Sequence, residues 1–260
     1  TKLYLQKDER LKKMLRILSQ NKKISTKKLQ AMMDVSTSTL RRDLLDLEMT
    51  NSIRRTHGYV SLLEYSNVEI AYGTRSSKNG TIKSRICKKA ATLINNDQAI
   101  FLDGSSTLSF LPKYFANKTN IHVITNNINI ASEVNQLKNI DLYVLGGTLL
   151  YRSKSILGPR AISDLISNFR PNISFMSCKS IDANGFYMAN EKQNELKRTV
   201  FQCSEKNVLL VDHSKFNKKD YILLDSFNST QIDIIITDQL PSKDILDSIK
   251  RNNIKLMIAE

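Results

Sequence analysis

From Lys83 onward, short apolar runs alternate with stretches long enough to form helices. The runs are QAIFL, HVIT, DLYVL, NISFM, NVLLV and DIIIT, and helical stretches such as KSRICKKAATLIN, AISDLISNF and EKQNELKRTVFQC separate most of them. Strands of a parallel sheet are apolar on both sides, because helices cover both faces of the sheet. The alternation therefore predicts an α/β main domain at residues 83–260, with a parallel sheet and helices on both of its faces.

The loops that follow four of these runs are polar in a consistent way. In open parallel sheets, ligands bind beyond the carboxyl ends of the strands, where such loops meet. Hydroxyl and backbone N–H groups before a helix can hold a phosphate, and glycines let the backbone approach a ligand closely. One such loop alone is most often an ordinary turn, but four at one sheet edge predict a pocket for an anionic ligand. The candidates are Asp103, Gly104, Ser105, Ser106 and Thr107 after the first run, Thr125, Asn126 and Asn127 at the end of the second, Gly146 and Gly147 after the third, and Asp212 and Lys215 after the fifth.

Residues 1–63 have a different pattern, typical of a small helical domain. The segment DERLKKMLRILSQ carries apolar residues at i, i+3, i+4 and i+7, which predicts a first amphipathic helix over residues 8–20. Ser25 is placed to cap a second helix, TKKLQAMMD, and Ser36 is placed to cap a third, TSTLRRDLLDLE. Two helices joined by about three residues have the spacing of a helix-turn-helix.

The third helix carries two neighbouring arginines on its polar side. If it enters a major groove, its first residues face base edges, which nominates Thr37, Ser38 and Arg41 for base contact. Arginine can pair both hydrogen-bond acceptors of a guanine at once. Arg42 stands four residues before Asp46, so the alternative for Arg42 is an exposed ion pair along the helix.

The segment SIRRTHGYVSLLE follows the third helix and reads as a β-hairpin. A hairpin in this position is the wing of a winged helix-turn-helix. Arg54, Arg55 and His57 suit contact with phosphates or with the minor groove, which positions a protein on DNA. His57 precedes Gly58, so it could equally stabilise the hairpin turn.

The basic charge of the chain is concentrated in this N-terminal region. Residues 1–60 hold 14 Lys and Arg against 6 Asp and Glu, whereas the other 200 residues hold 25 against 19. The net charge of the whole chain is +14. This distribution favours an anionic partner, and with the helix-turn-helix spacing it indicates double-stranded DNA.

The remaining composition narrows the class of protein further. Cys87, Cys178 and Cys203 lie far apart without C-x-x-C spacing, so we expect no metal site, no disulfide framework and a reducing, cytoplasmic location. No apolar run approaches the length of a membrane span, and we expect no cofactor and no membrane contact. The polar segment 64–82 is predicted to be a linker between the two domains.

No common catalytic motif appears in the chain. There is no Ser-His-Asp order, H-E-x-x-H motif or Walker-type loop, and the three histidines are scattered. An enzyme remains an alternative, because Asp103, Asp212 and Lys215 in one cleft could perform acid/base chemistry.

The motifs together resemble those of the DeoR family of bacterial transcriptional regulators. STSTLRRDLLDLE and IRRTHGYV resemble the recognition helix and wing of that family, and FLDGSST, VITNNINIA, LGGTL, ELKRTV and VDHSKF follow in the family's order. The resemblance implies a winged helix-turn-helix joined to a sugar-phosphate sensor related in fold to ribose-5-phosphate isomerase. It also implies a homo-oligomer that controls a sugar-catabolism operon.

The resemblance assigns DNA contact to the helix that begins at Ser36, including Thr39, and to the wing. It assigns effector contact to the loop residues named above and adds Lys197. This chain departs from the family pattern at four positions. Ser105 stands where the family usually has glycine, with Gly104 one place early, and Ser180, Gln193 and Tyr59 replace a usual glycine, glutamate and second wing glycine.

The sequence thus predicts a sequence-specific DNA-binding regulator, by default a repressor, that is controlled by a phosphorylated sugar and is not an enzyme. Two alternatives remain open at this point. One is an isomerase-like enzyme with a fused DNA-binding module. The other is a regulator whose α/β domain serves only as an oligomerisation scaffold.

Overall fold

The computed structural model describes residues 6–21, 23–49, 53–56, 58–62, 75 and 78–260. The wing residue His57 and most of the predicted linker lie outside these described residues. The chain forms two compact units, an N-terminal unit, Thr1–Lys78, and a C-terminal unit, Asn79–Glu260.

The N-terminal unit contains the predicted helices and hairpin. Its core is formed by apolar side chains from all of these elements, among them Met14, Leu29, Leu44 and Val60. A short strand before the second helix joins the hairpin, so that the wing is a three-stranded antiparallel sheet of order β1-β3-β2. The elements are α1 Lys7–Gln20, β1 Ile24–Ser25, α2 Thr26–Met33, α3 Thr37–Met49, β2 Ile53–Thr56 and β3 Tyr59–Leu62.

The C-terminal unit is built on a seven-stranded sheet whose neighbouring strands all pair in parallel. Each of the six apolar runs forms one of its strands. The seventh strand, β15, is near the C-terminus and was not predicted. In spatial order the strands are β15 Lys255–Ile258, β14 Ile234–Thr237, β12 Asn207–Leu210, β9 Ile173–Met176, β4 Ala99–Leu102, β5 Ile121–Thr125 and β6 Ile140–Val144.

Helices cover both faces of this sheet, as the alternation predicted. Successive residues of a strand point to opposite faces, so Phe101 lies in one core and Ile100 in the other. The first core includes Leu165 and Val200 from helices, and the second includes Ile86. The fold-class prediction is therefore confirmed. The helices are α4 Gly80–Ala91 and α5 Ile128–Val134 over one face, and α6 Pro159–Asn168, α7 Glu191–Cys203 and α8 Lys243–Arg251 over the other.

Two smaller sheets were not anticipated. The first is a hairpin, β7 Thr148–Leu150 with β8 Ser155–Leu157, which follows the edge strand β6. The second is an antiparallel sheet of order β10-β11-β13. Its strands are β10 Ser180–Ile181, β11 Gly185–Met188 and β13 Ile222–Ser226.

Candidate functional site

The third helix begins at a tightly hydrogen-bonded turn. The Ser36 hydroxyl accepts a hydrogen bond from the Thr39 backbone N–H at 3.1 Å, which confirms the predicted cap. The Gln30 amide of α2 donates to the Val35 carbonyl oxygen at 3.2 Å and to the Thr37 hydroxyl at 3.1 Å. These contacts connect the second helix to the first turn of the third, so that the positions nominated for base contact are held in one geometry.

The polar side of α3 faces solvent, as contact with a partner requires. Thr37, Ser38, Arg41 and Arg42 are exposed, and Thr39 is half-buried. Asp46, the alternative partner of Arg42, lies 2.8 Å from the Lys7 ammonium. Within the described residues, the Arg42–Asp46 ion pair is not formed.

The opposite side of α3 is joined to α1 by a partly buried ion pair that the sequence analysis did not predict. The Arg10 Nε donates to Asp43 Oδ2 at 2.8 Å and its Nη2 donates to Asp43 Oδ1 at 3.0 Å. Asp43 is 1% exposed. The Asp43 carboxylate holds the pKa of Arg10 above its ordinary value through these hydrogen bonds. The ion pair therefore fixes the orientation of α3 from behind.

The wing offers one arginine that is exposed and one that is half-buried. Arg54 is exposed on β2, while Arg55 lies 3.6 Å from the Glu48 carboxylate of α3. Gly58 has a φ of +79°, which explains why glycine stands in the hairpin turn. His57 lies outside the described residues, so the two interpretations of it remain open.

In the C-terminal unit, Asp103 is the centre of a buried polar cluster at the carboxyl end of β4. Its Oδ1 accepts from the Ser105 backbone N–H at 2.8 Å, and its Oδ2 accepts from the Ser177 N–H at 3.1 Å. The Lys197 ammonium donates to Asp103 Oδ2 and, at 2.8 Å, to the Ser177 carbonyl oxygen. Lys197, which only the resemblance nominated, is thus brought directly to a residue that the loop argument nominated.

A second buried lysine lies in the same cluster. Lys83, on α4, is 4% exposed, and its ammonium donates to the Ser106 hydroxyl at 3.2 Å. Sequence reasoning did not select Lys83 because a lysine near a helix start is usually solvated. A signal was present, since Lys83 occupies the apolar side of its helix, three residues before Ile86.

Asp212 supplies the second carboxylate of the cluster. Its Oδ1 accepts from the Ser214 backbone N–H at 3.1 Å, from the Ser214 hydroxyl, and from the Asn79 amide at 3.2 Å. Burial by itself would raise the pKa of Asp212, but the hydrogen bonds from Ser214 and the charges of Lys215 and Lys83 hold that pKa below its ordinary value. Asp212 is therefore ionised at neutral pH, close to two ammonium groups.

The loop after β5 is used largely for local structure. The Asn127 side chain caps α5 through the N–H groups of Asn129 and Ile130, and its amide donates to the Ser153 carbonyl oxygen at 2.9 Å. Backbone hydrogen bonds join the loop to the β7–β8 hairpin. They run from Ile128 N to Lys154 O at 3.1 Å and from Ile156 N to Asn126 O at 2.6 Å.

The structure explains why glycine stands at position 104, one residue before its usual place in the family pattern. A Cβ atom at Gly104 would lie 2.2 Å from the Ser155 hydroxyl and 2.8 Å from the Asn127 amide. Ser105 points its hydroxyl to the Leu108 N–H at 3.4 Å. The segment after Thr107 is the 3₁₀-helix Leu108–Phe110, and phosphate binding by the loop before it stays a prediction.

Packing within the C-terminal unit also explains the two glycines after β6. The Gly146 N–H donates to Asp164 at 2.9 Å, and a Cβ at Gly147 would lie 2.8 Å from the Leu157 carbonyl oxygen. Both glycines lie next to the β7–β8 hairpin, whereas the buried lysines gather around Asp103 and Asp212. The contacts of the described residues therefore do not join Gly146 and Gly147 to that cluster.

The Ser180 and Gln193 departures occupy different positions. The Ser180 hydroxyl donates to Asp220 Oδ2 at 2.6 Å, and both residues are buried. Gln193 lies in the first turn of α7, where its backbone N–H donates to the Asn190 side chain at 3.0 Å. Ser180 is therefore part of a buried hydrogen bond, and Gln193 begins the helix that carries Lys197.

The arrangement can hold an anion and a polar ligand. The carboxylates of Asp103 and Asp212 follow β4 and β12, the two strands on either side of β9, and lie near the ammonium groups of Lys83, Lys197 and Lys215. Among the described residues, no group of His, Cys, Asp or Glu could hold a metal ion. No helix in the described part of the chain is both long and apolar enough to cross a membrane.

Comparison with known proteins gives matches to both units. A DeoR-like helix-turn-helix domain matches residues 10–65, and a DeoR C-terminal sensor domain matches residues 78–239. The HTH-type transcriptional repressor GlcR of Bacillus subtilis is 31% identical over 97% of this chain and 96% of its own length. The glycerol-3-phosphate regulon repressor of Escherichia coli is 29% identical over 93% of this chain and 95% of its own.

A solved structure of ribose-5-phosphate isomerase A from Methanocaldococcus jannaschii aligns with 55% of this chain and 56% of its own, at 17% identity and a TM-score of 0.41. The two domain matches cover both units, and the similarity to the named regulators extends over nearly the whole chain. The chain belongs to the DeoR family of transcriptional regulators.

Proposed function

We propose that this regulator is a sequence-specific repressor of a sugar-catabolism operon and that a phosphorylated sugar controls it. The observation that carries the proposal is the cluster of buried lysines and carboxylates at the carboxyl ends of the strands, in a chain whose recognition helix exposes Arg41 and Arg42. Its relatives include proteins named as repressors, one of them of a glycerol-3-phosphate regulon.

For the DNA-binding step, α3 supplies base readout. Thr37, Ser38 and Arg41 stand exposed on its first turns, and the capped start of the helix keeps them in place. The remaining arginines contribute salt-dependent affinity through phosphate neutralisation. The proposed DNA contacts are Ser36, Thr37, Ser38, Thr39, Arg41, Arg42, Arg54, Arg55 and His57.

For the sensing step, the charges of the cluster favour an anion. Lys83, Lys197 and Lys215 place three ammonium groups beside Asp103 and Asp212, and a phosphate monoester can accept charge-assisted hydrogen bonds from such groups. Carboxylates beside the ammonium groups can accept hydrogen bonds from sugar hydroxyls. A ligand with both groups, a sugar phosphate, fits this chemistry better than a free sugar or inorganic phosphate.

The control mechanism follows from the symmetry of DNA. Two helix-turn-helix units must be spaced by about one turn of DNA or its multiples in order to occupy two half-sites. We propose that the chain acts as a homo-oligomer in the cytoplasm and that effector binding changes this spacing. Catalysis is not part of the proposal, because the Asp103 carboxylate is engaged by the Lys197 ammonium, and the lowered pKa of Asp212 makes it a weak base.

Thermal unfolding of the full chain against a panel of sugar phosphates and the corresponding free sugars tests the sensing step. A ligand at a hundred times its dissociation constant should stabilise the fold by about 2.7 kcal/mol. We expect stabilisation by at least one phosphorylated sugar and none by its free sugar. The variant Lys215→Gln serves as the matched control and should lose the effect. No shift across the panel would favour the scaffold alternative, and turnover of a ligand would favour the isomerase alternative.

Substitution of Arg41 tests base readout. Arg41→Lys keeps the charge but cannot form the bidentate pair with guanine, so it should weaken binding to the operator by about 1 to 3 kcal/mol while binding to random DNA is retained. Fluorescence anisotropy at fixed salt measures both affinities. Equal loss on operator and random DNA would contradict the base-reading role.

A further inference from the structure

The strand β6 forms one edge of the seven-stranded sheet. Among the described strands it pairs only with β5, in an uninterrupted parallel register from Ile121 opposite Ile140 to Thr125 opposite Val144. Its outer side therefore presents a row of backbone N–H and C=O groups, and none of them makes a backbone hydrogen bond within the described part of the chain. Such an edge is a template for another strand.

Natural proteins usually protect an open edge with lysine, proline or a bulge. The opposite edge strand, β15, begins with the exposed Lys255. β6 has none of these features, since its sequence is IDLYV and its register is regular. Its one charged residue, Asp141, lies 3.0 Å from His122 on the inner neighbour β5. The β6 edge therefore lacks lysine, proline and a bulge, and Asp141 is its one charged residue.

Exposed apolar side chains lie on this strand and on the hairpin that follows it in the chain. Tyr143 and Val144 are 44% and 43% exposed on β6 itself, and Leu149 and Tyr151 are 47% and 74% exposed on the hairpin that follows. The Tyr143 ring packs against Phe169 at a centroid distance of 5.5 Å, which fixes its position. An apolar surface of this kind beside an open strand edge indicates a protein–protein interface.

The direction of the backbone groups on β6 follows from one hydrogen bond. The Leu145 N–H donates inward, to the Thr125 carbonyl oxygen of β5, at 3.0 Å. Because successive residues of a strand alternate, the main-chain groups of Tyr143 and Asp141 also face β5. The groups of Ile140, Leu142 and Val144 therefore face outward.

We propose that the partner of this edge is a second copy of the chain, paired antiparallel through β6 about a two-fold axis at Leu142. In this register Leu142 lies opposite Leu142 of the second copy, and Ile140 lies opposite Val144. All three outward-facing residues then form hydrogen-bonded pairs, which amounts to roughly six hydrogen bonds across the interface. On the other face, Asp141 lies opposite Tyr143, so an acid meets a phenol and no like charges meet.

The strand alone is too small for a stable interface. Five residues span about 17 Å, whereas a stable interface buries about 800 Å² on each partner. Exposed apolar side chains outside β6, such as Leu149 and Tyr151 of the hairpin that follows it and Ile166 of α6, must therefore supply further contact area in the proposed dimer. The inference rests on the oligomer proposed above and names the surface through which it forms.

Sedimentation velocity of the full chain tests the interface. Val144→Pro removes an outward N–H, and proline is tolerated on an edge strand, so the β5–β6 ladder should remain intact. We expect a dimer for the unaltered chain, and for Val144→Pro a dimer dissociation constant raised by on the order of tenfold or more. Leu240→Lys changes an exposed apolar residue outside this surface, 68% exposed, and should leave the dimer unchanged. Circular dichroism checks that each variant is folded.

Cysteine cross-linking tests the register. In the proposed pairing the two Leu142 Cα atoms lie about 5.5 Å apart, within the range of a disulfide. Leu142→Cys should therefore form a disulfide-linked dimer with oxidised glutathione. The matched variant Val144→Cys, whose two copies would lie about 13 Å apart, should not.

A monomeric chain, or a dimer that Val144→Pro leaves unaffected, would overturn the proposal. Equal cross-linking of the two cysteine variants would do the same. A dimer through another surface would still allow a sugar phosphate to stabilise the chain and the operator to bind, so failure of this inference and failure of the proposed function have different signatures.

Discussion

The ion pair between Arg10 and Asp43 should have an asymmetric effect on stability. The Asp43 side chain is 2% exposed, whereas that of Arg10 is 20% exposed. Replacement of Arg10 by Met leaves a buried carboxylate without its guanidinium partner. Replacement of Asp43 by Asn keeps the shape of the buried side chain and one acceptor, and the guanidinium can turn toward water.

The magnitudes follow from this difference in burial. Removal of one partner from a fully buried pair costs about 3 to 5 kcal/mol, and the partial exposure of Arg10 places Arg10→Met near 3 kcal/mol. Asp43→Asn should cost about 1 to 1.5 kcal/mol, the value of a weakened hydrogen-bond network. The double variant should be more stable than Arg10→Met alone, because it no longer buries an unpaired charge.

Hydrogen exchange of the full chain, followed by mass spectrometry, measures these effects in the N-terminal unit separately. A loss of about 3 kcal/mol accelerates exchange of the α3 amides by on the order of a hundredfold. Peptides from the seven-stranded sheet serve as the internal reference and should be unchanged. The reasoning is refuted if Arg10→Met costs less than Asp43→Asn, or if the double variant is the least stable of the three.

Three further predictions concern the C-terminal unit. Gly104→Ala should destabilise the chain and lower its thermal midpoint, because the added Cβ would overlap the hydroxyl of Ser155 and the amide of Asn127. Ser155→Gly in the double variant should restore part of the loss, and no restoration at all would contradict this cause. The pKa of Asp212 is lower in the fold than its ordinary value of 3.8, so its contribution to stability is present above that pH and is lost as the pH falls through the folded value. Asp212→Asn should therefore weaken the acid dependence of unfolding below about pH 4. Burial raises the pKa of the Cys178 thiol to about 12, so at pH 8 or below iodoacetamide should modify the partly exposed Cys203 first, and mass spectrometry would reveal the order.

The main sheet could be predicted because its strands are buried on both faces. Runs such as NVLLV and DIIIT have a continuous apolar stretch after their first residue, and the helix Glu191–Cys203 coincides with the predicted stretch EKQNELKRTVFQC. Continuous apolarity and regular helix spacing are local properties, and each can be recognised without knowing which strand pairs with which.

The antiparallel sheet and the last strand carry weaker local signals. The segment GFYM is buried at every position only because β13 and the core close over it, and β10 has just two residues. The strand KLMI begins with an exposed lysine and is half-buried thereafter. Long-range contacts determine whether these elements form, so the sequence pattern could not predict them.

The candidate site was predicted only in part, because some of its residues have local sequence signals and others do not. Loops at the ends of predicted strands could be placed at one edge, which brought Asp103 and Asp212 into consideration. The sequence analysis did not select Lys83 or Ser177, because their roles depend on burial and on backbone groups supplied by distant segments. Conversely, the Asn127 side chain was nominated as a contact, and its hydrogen-bonding capacity is largely used by the cap of α5.

The attachment of the β7–β8 hairpin has a consequence for protein engineering. The bonds from Ile128 N to Lys154 O and from Ile156 N to Asn126 O join main-chain atoms, so they do not depend on side-chain identity. Arg152 can therefore be replaced without loss of these two bonds, whereas Lys154, whose φ is +57°, should be replaced only by glycine or asparagine, which tolerate that backbone conformation. A label placed at position 152 would report on this loop without breaking its attachment to the loop after β5.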